Sequence, residues 1–242
     1  MEKISIHLAP SELFTIWGFP VTNTLLTAWV AVVVIAVLAV LVRTHIKLVP
    51  NKAMVLVESM VVEGLGYTER TLENAALARK IFPFLLSVFL FVLIGGLIGL
   101  LPGVGSIYTG EHHTYVFYPP YTDLNLTLGF AILAFLLIEV VGITTLGFWK
   151  YGGKFVNLRS PIGFVVGIIE LISEVARLIS FSFRLFGNIF AGKVLILVVM
   201  AFVPYVIPVP LLLYEVLVAF IQAGIFAILT LFFVKIAVTE PH

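Results

Sequence analysis

From Pro161 to Val203 the chain runs for about 43 residues as one predominantly apolar stretch. Drawn as a helix at roughly 1.5 Å per residue it reaches about 65 Å, twice the ~30 Å hydrocarbon core of a bilayer. Four other apolar stretches accompany it: 22–42, 81–101, 124–149 and 209–238. In lipid a spanning segment must satisfy its own backbone, so stretches this apolar are helices. Hydrophobic residues make up 61% of the chain and charged ones only 11%. A soluble domain carries about 25% charged residues. Lipid must therefore cover most of the surface, and the expected fold is an all-α membrane protein, a single membrane domain over 1–242.

The segment 51–78 differs from the rest. It mixes Lys52, Glu58, Glu63, Glu69, Arg70 and Glu73 with Val, Leu and Met. That pattern predicts an amphipathic helix at the membrane surface, broken near Gly64–Gly66. The expected architecture is five membrane-embedded helices plus this interfacial one. Pro204, Pro208 and Pro210 mark a tight turn between the last two stretches. These two then form a long, strongly tilted hairpin, with another protein lying alongside it. Gly95 and Gly99, and Gly163 and Gly167, have the small-xxx-small spacing of close helix approach.

Cations set the orientation. Arg43, Lys47, Lys52, Arg70, Arg79 and Lys80 lie between the first two spans, and Lys150, Lys154 and Arg159 between the third and fourth. The 101–123 loop holds no Lys or Arg. This predicts a multi-pass protein with its N-terminus outside and its C-terminus in the cytoplasm. The first apolar run is long enough to span and ends at Arg43, so it reads as a span and not as a cleavable signal core.

Several function classes fall away. A net charge of +1 gives no basic surface for nucleic acid. There are no cysteines, so no disulfide and no thiolate metal site. The adjacent His112 and His113 read as a polar loop, and no metal or other cofactor is expected. H-E-x-x-H and G-x-S-x-G are absent, which leaves no enzyme constellation. No inverted repeat suggests a secondary transporter. A purely structural subunit does not account for the ionisable residues in the fourth stretch.

Those residues are Glu170, Glu174, Arg177, Arg184 and Lys193. The fifth stretch holds Glu215 and Gln222, and the third holds Glu139. Charges in hydrocarbon are costly and mark functional sites. At about 100° per residue, Glu170, Arg177, Ser180, Arg184 and Asn188 share one stripe. Lys193 turns to the opposite face. Glu174 and Arg177 are spaced for a local ion pair, and Lys193 and Glu215 for a pair across the hairpin. Polar groups thus run from the inner side to mid-depth, where Arg184 sits, and on to the outer side. A fixed guanidinium there blocks a direct cation leak between two half-paths. It also draws a proton off any carboxylic acid brought close. Such an acid must move, and so must belong to a partner.

The run Ser182 to Gly192 (SFRLFGNIFAG) resembles the signature of subunit a of F-type ATP synthases. Ile221 to Thr230 (IQAGIFAILT) resembles the last-helix motif of that family, and Asp123 to Leu128 (DLNLTL) the segment after its outer loop. The resemblance implies a non-catalytic stator subunit for proton transport in ATP synthesis. It would sit in the bacterial inner membrane, beside the rotating c-ring and the peripheral-stalk b subunits. Aqueous half-channels would lead to and from the ring carboxylates. On this resemblance Arg184 matches the essential arginine, with Asn188 and Gln222 as polar partners and a Gln222–Arg184 contact expected. Glu170 matches a carboxylate on the cytoplasmic path, with Glu174 and Ser180 beside it. Glu215 and Lys193 fall on the outer path, with Asp123 near its mouth. Many bacterial members carry Glu where this chain has Lys193, and some carry His where it has Glu215. Mitochondrial forms have the swapped order of base and acid, which this chain follows. Glu215 is then the relay, and Lys193 has an electrostatic or structural role.

Overall fold

The computed structural model describes residues 10–45, 52–101, 108–109, 114–155, 161–203 and 206–239. Lys47, His112, His113, Arg159 and Pro204, which figure in the expectations above, lie outside them. The fold is all-α, with five helices long and apolar enough to cross a membrane.

The described chain opens on a β-hairpin that the apolar pattern gives no sign of. Strands β1 (Glu12–Ile16) and β2 (Phe19–Thr22) pair antiparallel. The turn between them uses the left-handed conformation at Trp17 and Gly18, as a two-residue hairpin requires. Helix α1 (Asn23–Thr44) starts directly from β2, and the Thr22 hydroxyl caps it by accepting from the Leu25 amide.

Helix α2 (Lys52–Leu72) is continuous through Gly64 and Gly66, so the expected break there does not occur. A glycine costs a helix only about 1 kcal/mol, and Gly64 lies close under the Phe82 ring. The chain breaks instead at Glu73, which adopts a left-handed φ of 54°. Asn74 then caps α3 (Ala75–Ile98) by accepting from the Leu77 amide. Two short strands, β3 (Tyr108–Thr109) and β4 (Thr114–Tyr115), pair in the following loop. A 3-10 turn at Pro120–Thr122 leads into α4 (Leu124–Leu146), capped by Asp123.

The third apolar stretch is not one helix to Trp149. Gly147, at φ 84°, ends α4, and a separate short helix α5 (Phe148–Phe155) follows. Helices α6 (Pro161–Phe202, 42 residues) and α7 (Pro208–Val238, 31 residues) complete the fold. At ~1.5 Å per residue they measure about 63 and 46 Å. Helix α7 packs between α3 and α4, and α6 lies on α4 and α7.

The core where these helices meet is small and aromatic. Ala131, Ala134, Leu185 and Phe226 are fully buried. The Phe226 ring centroid lies 4.6 Å from that of Phe181 and 5.2 Å from that of Phe130. The outward faces of α1, α6 and α7 stay apolar and exposed, which is the surface of a protein in lipid.

Candidate functional site

Arg184 lies close to the midpoint of α6, and Gln222 close to the midpoint of α7. The guanidinium donates to Ser180 Oγ at 3.1 Å, one turn back on the same helix. Its Cζ stands 5.9 Å from the Phe181 ring centroid. Its Nη1 is buried without a hydrogen-bond partner. Among the described residues no carboxylate comes within ion-pair distance of it. A buried donor left unspent costs about 1–3 kcal/mol, more when charged.

Gln222 is 2% exposed, and its Oε1 accepts from Asn188 Nδ2 at 2.7 Å. The expected Gln222–Arg184 contact is therefore replaced by a Gln222–Asn188 one. Asn188 sits one turn beyond Arg184 on the same stripe, so it meets α7 at the level of Gln222. The hairpin is tied near the middle of both helices through neutral amides, and the guanidinium keeps to Ser180 and Phe181 of its own helix.

Toward the C-terminal end of α6, Lys193 and Glu215 line one small cavity with Gly96, Gly99, Pro119 and Ile196. They do not form the expected ion pair. Lys193 Nζ donates to the Gly99 carbonyl at 3.2 Å and stands 5.9 Å from the Tyr118 ring centroid. The turn of α3 at Gly99 thus takes the ammonium that the sequence assigns to Glu215. Glu215 is 6% exposed, and its carboxylate lies against Gly192. A Cβ at position 192 would overlap that carboxylate, so any larger residue beside Lys193 would make the end of the Glu215 side chain shift.

Asp123 is wholly occupied. One oxygen accepts from the Asn125 amide at 2.9 Å and the other from Thr24 Oγ1 at 3.0 Å. It caps α4 and ties α4 to α1. Next to it Tyr121 is fully buried and donates to the Phe91 carbonyl at 2.5 Å. Burial holds its phenol well above the ordinary tyrosine value.

A second polar group gathers where α4, α5 and α6 meet. Lys154 Nζ is 2.8 Å from Glu170 Oε1. Arg177 reaches Glu170 at 3.5 Å and Glu174 at 2.7 Å, and stacks 5.1 Å from the Phe233 ring centroid. The expected Glu174–Arg177 pair is therefore present, joined by a cation from α5. The sequence reading missed Lys154 and Tyr151 as site residues. Position 151 fell in what looked like a loop, and only the turn at Gly147 folds it back onto α4. The Tyr151 ring lies so close over Gly142 that a Cβ there would overlap it. Glu139 was visible in sequence as a charge in an apolar helix, but nothing there paired it with Tyr151.

The chain is similar to known proteins over most of its length. The family described as ATP synthase A chain matches residues 25–235. A protein of Trichlorobacter lovleyi, ATP synthase subunit a, is 30% identical over 227 residues, covering 91% of this chain and 89% of its own length. The protein of that name from Campylobacter jejuni subsp. doylei is 34% identical over 203 residues, covering 82% and 83%. The one from Geobacter sulfurreducens is 30% identical over 215 residues, covering 88% and 86%.

Proposed function

Because the chain belongs to the ATP synthase A chain family, we propose that its α6–α7 hairpin passes protons between two offset half-channels and the carboxylates of a rotating ring. Membership makes it a non-catalytic membrane subunit of the proton-translocating sector, working in a complex with the other subunits of that sector. The finer reading rests above all on Arg184. It is a mid-helix cation with a buried, unspent Nη1 and no carboxylate within ion-pair distance among the described residues. Its complement must come from outside the chain.

In this reading a protonated ring carboxyl approaches Arg184. The guanidinium favours the ionised form, so the O–H bond breaks and the proton leaves by the path on one side. The carboxylate passes Arg184 as an ion pair and takes a proton from the other path. Glu215 serves the outer path, with Lys193 fixing the local field from its seat on Gly99 and Tyr118. Glu170, with Glu174 and Ser180 on the same side, serves the inner path. Asn188 and Gln222 hold the two helices in register at the level of the guanidinium. Asp123 shapes the outer end through its cap. The b subunits would bind elsewhere on the membrane sector, in a bacterial inner membrane, with the N-terminus outside. The whole chain, 1–242, acts as one membrane domain, with 51–78 at the interface and 161–203 and 209–238 as the tilted pair.

A cysteine scan along α6 tests the placement. Single cysteines at 177, 180, 184 and 188 should crosslink to cysteines on the outer face of the ring helix in the assembled complex. Crosslinks from the opposite face of α6 alone would overturn it.

A further inference from the structure

Short helix α5 carries one cation into the protein. Gly147 turns the chain, and α5 folds back against α4 and α6. Two glycines give it its seat. The Tyr151 ring lies against Gly142 of α4, and the Phe155 carbonyl against Gly167 of α6, each where a Cβ would stand. Lys154, next to Phe155, is thereby aimed at α6. Its Nζ is buried and stands 2.8 Å from Glu170 Oε1. Arg177 is the second cation near that oxygen, at 3.5 Å, but it lies closer to Glu174, at 2.7 Å. The acids thus divide the cations. Arg177 serves Glu174 first, and Lys154 serves Glu170.

A buried ammonium is stable only beside an anion. Among the described residues, Glu170 is the carboxylate within ion-pair distance of Lys154. A proton that settles on Glu170 strands this ammonium, so the pair favours release of the proton over its retention. The charged groups facing Glu170 are Lys154 from α5 and Arg177 and Glu174 from α6 itself. Helix α4 brings Glu139 to the Tyr151 side of the group. Helix α7 brings the uncharged Phe233 ring against Arg177. Lys154 is therefore the one cation supplied to Glu170 from outside its own helix.

Resting on the reading of Glu170 as an inner-path carboxylate, we propose that Lys154 is a positioning residue of that path. It holds the Glu170 carboxylate in place as an anion between proton arrivals, and so speeds proton release to the inner side. An O–H bond forms on Glu170 as the proton arrives from the ring side and breaks as the proton passes to water. Lys154 stays an ammonium throughout, and no electrons are transferred. Helix α5 is the support that sets the pair, through Gly147, Gly142 and Gly167.

The test uses the whole complex in inverted vesicles, whose inner side faces the medium, so that its pH can be set. ATP synthesis then sends protons out through the inner path. Lys154→Met should slow synthesis about tenfold in mildly acidic medium and by less as the medium is made alkaline. The acidic limb of the rate should move about one pH unit toward alkaline, because Glu170 without its ammonium keeps a proton longer. Lys154→Arg should restore most of the limb. Should Lys154→Met fail to assemble, Lys154→Gln keeps a polar side chain there and should move the limb the same way. An unmoved limb overturns the proposal. So does a uniform loss at every pH, which marks a packing role. Glu170→Gln in parallel keeps the two readings apart. If it slows synthesis while Lys154→Met leaves the limb in place, only the role of Lys154 fails. If it synthesises at the parental rate, the reading of Glu170 fails.

Discussion

In the proposed mechanism the outer path depends on the Glu215 carboxylate, and Gly192 lies directly against it. The Glu215 side chain occupies the space a Cβ would need. Replacing this glycine by alanine makes the end of the Glu215 side chain swing out of its seat. Gly192→Ala should therefore assemble normally and pump about tenfold more slowly, as measured by ATP-driven acidification in vesicles. A normal rate would mean that Glu215 works from another position. At this scale the sequence was most legible where chemistry is costly. Arg184, Glu170, Glu215 and Gln222 stand out because polar groups in an apolar helix demand a reason. What the sequence hid was partner choice. Lys193 turns to a backbone carbonyl and Gln222 to Asn188, and a free carbonyl at Gly99 leaves no mark in the sequence.

Among the elements, the long helices were readable from length alone, and their ends were not. Helix α2 passes through two glycines and stops at Glu73, where backbone conformation and the Asn74 cap decide the boundary. The same corner meets α7. Glu73 Oε1 accepts from Lys235 Nζ at 2.8 Å. Lys235 lowers the Glu73 pKa, first by that hydrogen bond and then by its charge. A carboxyl lowered in the folded state contributes above the ordinary glutamate range and loses that contribution as pH falls through the lowered value. Lys235→Met should then speed amide exchange at the C-terminal end of α2 at neutral pH and match the parent protein in acid. Equal exchange at neutral pH would show that the α2–α7 contact does not depend on this pair. The β1–β2 hairpin and α5 were the least legible elements. Both depend on a left-handed residue, at Trp17–Gly18 and at Gly147, in stretches whose hydropathy continues without a break.

Across the whole molecule, the packed core follows the seams between α3, α4, α6 and α7, with Leu72, Tyr121 and Tyr151 joining it, and the outward faces of α1, α6 and α7 are apolar. Such a chain is complete only in lipid and against its neighbours. The two polar groups are placed accordingly. One lies where α6 and α7 meet α3 and Pro119, the other where α4, α5 and α6 meet, and Arg184 lies between them along α6. The proposed mechanism turns on that guanidinium meeting an acid from another subunit. The most direct measurement is ATP-driven pumping and passive proton leak of the Arg184→Ala complex in sealed vesicles. Loss of coupled pumping together with a raised passive leak is the predicted result. Coupled pumping at the parental rate would contradict it.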